Sequence, residues 1–182
     1  MKNFLLIGAV ALLAVQATAR DFAYEYEGQT LNYTVLDEDA RTCQVMAGEI
    51  DELGIIHTGH TISGSLIIPS VANDGVSDFK VVAVGDYAFE RCPELNSLSL
   101  PSTLKSIGEY GFYGCSALTE IDIPGSVKRI ANAAFADCRS LTKAQFASVD
   151  ALCTIDFERF DSNPLYWDFL FLFFPLPPNF HS

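Results

Sequence analysis

Apolar positions in this chain return at a fixed step of 23 residues: Phe89, Phe112 and Phe135; Cys92, Cys115 and Cys138; Leu95, Leu118 and Leu141. Val84, Ile107 and Ile130 stand five residues before each Phe, and Ala88, Gly111 and Ala134 immediately before it. A unit of this length cannot bury its apolar face alone. It must stack on copies of itself, which makes an elongated surface rather than an enclosed pocket. Within each unit, Leu95, Leu98 and Leu100, then Leu118, Ile121 and Ile123, then Leu141, Ala144 and Phe146 end on an alternation of two. That is a short strand with one inward face, and Pro101 and Pro124 close the first two. The preceding segments GDYAFERC, GEYGFYGC and ANAAFADC are too short for a multi-turn helix, so each is expected to form a single helical turn carrying its Phe inward. Leu104 with Ile107, and Val127 with Ile130, give a second inward edge.

Both ends of such an array expose an apolar face and need covering. From Phe22 to Val45, apolar and polar residues alternate around Glu27-Gly28 and Asp37-Glu38-Asp39, the pattern of a three-stranded meander and the expected N-terminal cap. The other end is less regular. After Asn163-Pro164-Leu165-Tyr166 comes an unbroken apolar run, Phe169 to Phe174, followed by three prolines. It is too short to span a membrane and lacks alternation, so residues 167–182 are expected either as a foreign tail prone to self-association or as aromatics folded back as a cap.

Residues 1–19 read as a secretory signal: Lys2, an apolar stretch from Phe4 to Val15, and Ala17-Thr18-Ala19 as the cleavage site. The chain is expected to start at Arg20 after processing. The first cysteine is Cys43, far from the cut, so no lipidation site is expected and the destination is secretion or the cell surface. The organisation expected is 1–19 signal peptide, 20–64 lead-in cap, 65–158 repeats and 159–182 tail. The formal charge of -12 repels phosphate backbones and anionic lipid, which argues against nucleic acid and against stable membrane insertion.

The run LPSTLKSIGEYGFYGCSALTEIDIPGSVKRIANAAFADCRSL, at this step, resembles the BspA-like leucine-rich repeats of bacterial surface proteins and some protists. The resemblance covers Leu66 to Phe157. It includes a degenerate first strand at Leu66, Ile68 and Pro69, a nine-residue insertion around Asn73-Asp74-Gly75, and a shortened last copy with Leu152, Ile155 and Phe157 at the L-x-x-L-x-L offsets. DFAYEYEGQTLNYTVLDEDARTCQV is similar to the lead-in of such proteins. Where the common consensus has Asn or Cys after the strand, this chain has Thr103, Ser126 and Val149, which points to a flatter coil. The resemblance implies an α+β repeat solenoid: a leucine-rich-repeat-like right-handed coil of short strands and single helical turns behind a β-meander cap. It also implies adhesion to host or neighbouring-cell surface proteins.

Five cysteines in a secreted chain invite disulfides. However, Cys92, Cys115 and Cys138 share one column, where units lie about 4.8 Å apart with parallel side chains, beyond the roughly 3.5 to 4.5 Å Cβ separation of a bridge. They are expected as buried thiols, leaving Cys43 and Cys153 as the better reactive candidates. His57 and His60 lack third and fourth ligands nearby, so no metal site is expected. The Asp37-Glu38-Asp39 cluster lacks the pattern of a calcium loop and reads as a solvated turn. Gly108, Gly111 and Gly114 do not match a dinucleotide fingerprint, and no nucleophile elbow exists. Neither catalysis nor a cofactor is expected. The remaining candidate is the outward strand column, Ser97, Ser99, Glu120, Asp122, Lys143, Gln145, Thr154 and Asp156, as a strip for an unidentified protein ligand. Tyr87 with Tyr110, and Lys105 with Lys128, form two further repeat-spaced pairs.

Overall fold

A computed structural model of the chain describes residues 20–46, 62–159 and 162–164, and the backbone of 49–50 and 56–57. The leader at 1–19, the imidazoles of His57 and His60, and the tail from 167 lie outside the described residues.

Strands β1 (Asp21–Tyr26), β2 (Gln29–Asp37) and β3 (Thr42–Met46) form the antiparallel meander read from the alternation. The first turn is tight because Glu27 and Gly28 both take positive φ, 52° and 76°, as a two-residue type I′ hairpin requires. In the second turn Asp37 Oδ1 accepts from the Ala40 amide at 2.8 Å, and Asp37, Glu38 and Asp39 are exposed. The inward face carries Leu31, Tyr33, Cys43 and Val45, and the Phe22 ring stacks on Tyr33 at 5.4 Å.

A short antiparallel pair follows, β4 (Glu49–Ile50) with β5 (Ile56–His57). Then come β6 (Gly64–Ile67), β7 (Val71–Asn73) and β8 (Asp78–Val84). The insertion around Asp74 is the β7–β8 hairpin turn, where Asp74 Oδ1 accepts from the amides of Val76 and Ser77 at 2.8 and 2.6 Å. The repeats supply β9 (Leu95–Ser99), β10 (Ser106–Ile107), β11 (Glu120–Ile123), β12 (Arg129–Ile130) and β13 (Lys143–Phe146). Helix α1 (Val149–Cys153) and β14 (Asp156–Phe157) close the described repeats.

Two edges run along the units. On one, β3, β8, β10, β12 and β14 pair in parallel, with Val45, Val84, Ile107, Ile130 and Phe157 in one line. On the other, β6 pairs with β9 and β11 with β13, both in parallel. Between the edges lies the core. Phe89 and Phe112 stack at 5.2 Å and 7°, and Phe112 and Phe135 at 5.5 Å and 9°. Cys92, Cys115 and Cys138 form a column of free, buried thiols.

Two expectations are corrected. The segments carrying the Phe row are not helical turns, because their amides alternate in direction. Ala88 and Glu90 donate three residues back, to the carbonyls of Gly85 and Tyr87, whereas Tyr87, Phe89 and Arg91 donate to Glu109, Gly111 and Tyr113 of the next unit at 2.8, 2.8 and 2.6 Å. Tyr110, Phe112 and Gly114 repeat this toward Asn132, Ala134 and Ala136. The reversal requires left-handed residues, here Tyr87, Arg91, Tyr110, Gly114, Ala133 and Asp137, with φ between 52° and 71°. A helical turn would keep its bonds within one unit and leave the neighbouring unit's buried carbonyls unpaired.

The second correction concerns the last copy, which does not place Leu152, Ile155 and Phe157 on a strand beside β13. Ser148 caps α1, its Oγ accepting from the Ala151 amide at 3.0 Å, an N-cap that starts a helix. Asp156–Phe157 then pairs with Arg129–Ile130 on the opposite edge. The step from Ile130 to Phe157 is 27 residues rather than 23.

Candidate functional site

The alternation of β9, β11 and β13 turns Leu98, Ile121 and Ile123 into the core and Ser97, Ser99, Glu120, Asp122, Lys143 and Gln145 to solvent. Six of the eight outward candidates therefore share one face. Parallel register sets Glu120 beside Lys143 and Asp122 beside Gln145. Both pairs close, Lys143 Nζ to Glu120 Oε2 at 2.9 Å and Gln145 Nε2 donating to Asp122 Oδ1 at 2.8 Å. The hydrogen bond that Lys143 donates to Glu120, and then the carboxylate's charge, hold the ammonium above its usual pKa.

A groove of about 570 Å³ runs across this face, lined by Ser97, Ser99, Glu120, Asp122 and Gln145 with Pro124 and Phe146 among its apolar members. It lies where the strand ladder is interrupted. β9 pairs with β6 and β11 with β13, but among the described residues no pairing joins β9 to β11.

Thr154 and Asp156 do not belong to this face. Thr154 is the C-cap of α1, its hydroxyl donating to the Ala151 carbonyl at 2.9 Å and accepting from Lys128 Nζ at 3.1 Å. Asp156 lies on β14 beside Arg129, on the opposite edge. The four-residue lengthening through α1 moved both.

Tyr87 and Tyr110 stack at 5.2 Å and 13°, with Tyr113 edge-on to Tyr110 at 5.4 Å. Burial and then the Glu109 carboxylate push the Tyr87 phenol up. Lys105 and Lys128 are both exposed. Of the two thiols read as reactive candidates, Cys153 is exposed, but Cys43 is fully buried and burial pushes it up to about 12. That is the environment of an inert core thiol.

A polar ladder was not read from the sequence. Asp86 Oδ1 accepts from the Glu109 amide at 2.8 Å, Glu109 Oε1 from Asn132 Nδ2 at 2.9 Å, and Glu158 Oε2 from the Asn132 amide at 3.2 Å. Asp86, Glu109 and Asn132 keep the 23-residue step, so the signal was present, obscured by the change of residue type. The consensus position behaves unevenly: Thr103 Oγ1 donates to the Val81 carbonyl at 2.6 Å, Ser126 Oγ is buried without a partner among the described residues, and Val149 begins α1 in solvent. Among the described residues, no three His, Cys, Asp or Glu side chains gather as a metal site, and no helix is long and apolar enough to cross a membrane.

The BspA type leucine rich repeat region matches residues 77–165, in six copies. No curated protein sequence matches the chain. A leucine-rich repeat protein from Bacteroides ovatus is similar in structure, with a TM-score of 0.53 and 27% identity over 74% of this chain and 34% of its own. The chain thus spans about a third of that protein's length. A leucine-rich repeat protein from Bacteroides capillosus gives a TM-score of 0.44 at 21% identity over 65% of this chain and 94% of its own. A leucine rich cell surface protein from Faecalibacterium prausnitzii gives 0.38 at 19% identity, over 69% and 42%.

Proposed function

We propose, from the premise that residues 77–165 make this chain a BspA-type leucine-rich repeat protein, that it is a secreted or cell-surface module binding another protein along the outward face of β9, β11 and β13. The carrying observation is the groove over that face, where polar side chains from three successive units converge beside an interrupted ladder. Rigidly spaced side chains suit an extended partner, because little entropy is lost in ordering them. In this reading the units form a right-handed solenoid capped by the meander, the leader is removed after Ala19, and the chain carries out no catalysis. The ligand is a protein of a host or neighbouring cell surface.

The test uses chain 20–182 against a panel of purified extracellular-matrix and serum proteins. The double variant Glu120→Lys/Asp122→Lys should weaken any specific capture by about tenfold or more, as loss of central contacts does. Lys105→Ala, on the opposite edge, should leave it unchanged. Capture of nothing specific, or equal loss in both variants, would refute the reading.

A further inference from the structure

The two ends of the β6–β13 edge are finished differently. At the front, Gln29 Nε2 donates to the Ser65 carbonyl, and Gln29 Oε1 accepts from the Ile67 amide at 3.1 Å. A side-chain amide carries the same donor and acceptor as a peptide, so Gln29 takes the place of a neighbouring strand and seals β6. At the rear, β13 pairs with β11, and among the described residues no strand lies on its other side. Its inward residues Ala144 and Phe146 are half-buried, whereas Ile121 and Ile123, one unit earlier, are 1% and 3% exposed. The apolar row is open there.

The last strand pair dictates which residues come next. Phe157 lies beside Ile130, so the final unit runs at an offset of 27. Carried forward, that offset sets Ser162 beside Phe135, and Ser162 is fully buried, as the next member of the Phe row should be. It sets Leu165 at the position of Cys138. By the same count, residues 170–173 stand 27 residues after β13, Lys143–Phe146, with Phe171 at the Ala144 position and Phe173 at the Phe146 position of the repeat. Leu170 stands six positions after Pro164, the step that leads from Asp137 to Lys143 and from Gly114 to Glu120 in the earlier units. Asp161, Ser162 and Asp168, at the Ala134, Phe135 and Leu141 positions, are the polar breaks in the match.

We propose that residues 170–173 of this chain dock in parallel on the free edge of β13, with Phe171 and Phe173 closing the open apolar row and Leu170 and Leu172 facing outward. A second copy is a poorer occupant, since its own front edge is already sealed by Gln29.

The test compares chain 20–182 with Phe171→Asp, Phe173→Asp, Leu170→Asp, Leu172→Asp and a truncation after Pro164. The readouts are Tm and hydrogen exchange of the 143–146 amides. Burying a charge is costly and exposing one is not, so the two Phe variants and the truncation should lower Tm by about 5 °C or more and speed exchange by at least about tenfold. The two Leu variants should leave both near the parent values. Phe171→Leu, which keeps apolar bulk, should retain most of the protection. Equal effects at all four positions would overturn the proposal, as would a truncation that leaves exchange unchanged. Protection that rises with protein concentration would overturn it too, by assigning the edge to a second copy.

Discussion

Removing Phe112 is the sharpest perturbation of the ring row, because among the described residues it alone in that row stacks on a ring on each side, Phe89 at 5.2 Å and Phe135 at 5.5 Å, and it is fully buried. Truncating a core Phe to Ala costs about 3 to 5 kcal/mol in lost transfer energy and cavity, and each well-placed ring pair adds about 0.5 to 1.5 kcal/mol beyond area. Phe112→Ala therefore belongs near the top of that range, about 5 kcal/mol, and Phe135→Ala about 1 kcal/mol below it. For a chain of this size the central substitution lowers Tm by roughly 10 to 20 °C. Since about 5 kcal/mol approaches the whole stability of a small domain, Phe112→Leu provides a milder companion that keeps apolar volume and removes the ring. The assay is urea unfolding followed by circular dichroism, with a double-mutant cycle of Phe89→Leu and Phe112→Leu expected to show coupling of about 1 kcal/mol. Coupling within about 0.3 kcal/mol of zero, or a greater loss at Phe135 than at Phe112, would refute the claim that the rings stabilise one another across units.

The thiols provide a chemical check. Burial pushes Cys43 and Cys92 up to about 12, and the hydrogen bond with Cys138, followed by burial, pushes Cys115 up as well. Iodoacetamide at pH 8 should therefore label Cys153 alone in the folded chain and all five cysteines once it is denatured; a second fast-reacting thiol in the folded state would contradict the burial. The same shifts set a pH dependence. Unfolded thiols ionise near 9 while Cys43 and Cys92 stay neutral to about 12, so their stabilisation is complete below pH 9 and lost as pH rises toward 12. Tm should fall over that window, and fall less in Cys92→Ala; no difference between the two chains would discount the thiol. Gln29→Ala, which unseals β6, should cost about 1 kcal/mol in urea unfolding and speed exchange at Ile67, and an unchanged Ile67 amide would show that the seal is ornamental.

Much of this was legible because the step of 23 carries one environment from unit to unit. The Phe row, the thiol column, the tyrosine pair and six residues of the outward face need only that step and the alternation within each strand. The meander announced itself through Glu27-Gly28 and the buried alternation of Leu31, Tyr33 and Val35. What escaped the sequence depends on neighbours rather than on pattern. Apart from Gly114, the left-handed residues of the turn segments are not glycines but Tyr87, Arg91, Tyr110, Ala133 and Asp137; the amides of Tyr87, Arg91 and Tyr110 turn to carbonyls of the adjacent unit. Helix α1 was missed because Leu152, Ile155 and Phe157 imitate a strand spacing, while the deciding group is the Ser148 hydroxyl. Displacing Thr154 and Asp156 followed from that one cap. The interruption between β9 and β11 has no counterpart in residue type.

The alternating amides of the turn segments have a mechanical consequence. Tyr87, Phe89 and Arg91 each tie their unit to its successor by a hydrogen bond directed along the long axis of the molecule. Tension applied through the two termini loads these ties in series, and an end unit, held by a neighbour on one side only, yields before the interior units clamped on both sides. The chain would then lengthen in instalments, each yielding one unit of 23 residues and about 75 Å of slack. A protein tethered at a surface under flow would stretch by increments while its remaining units kept their shape.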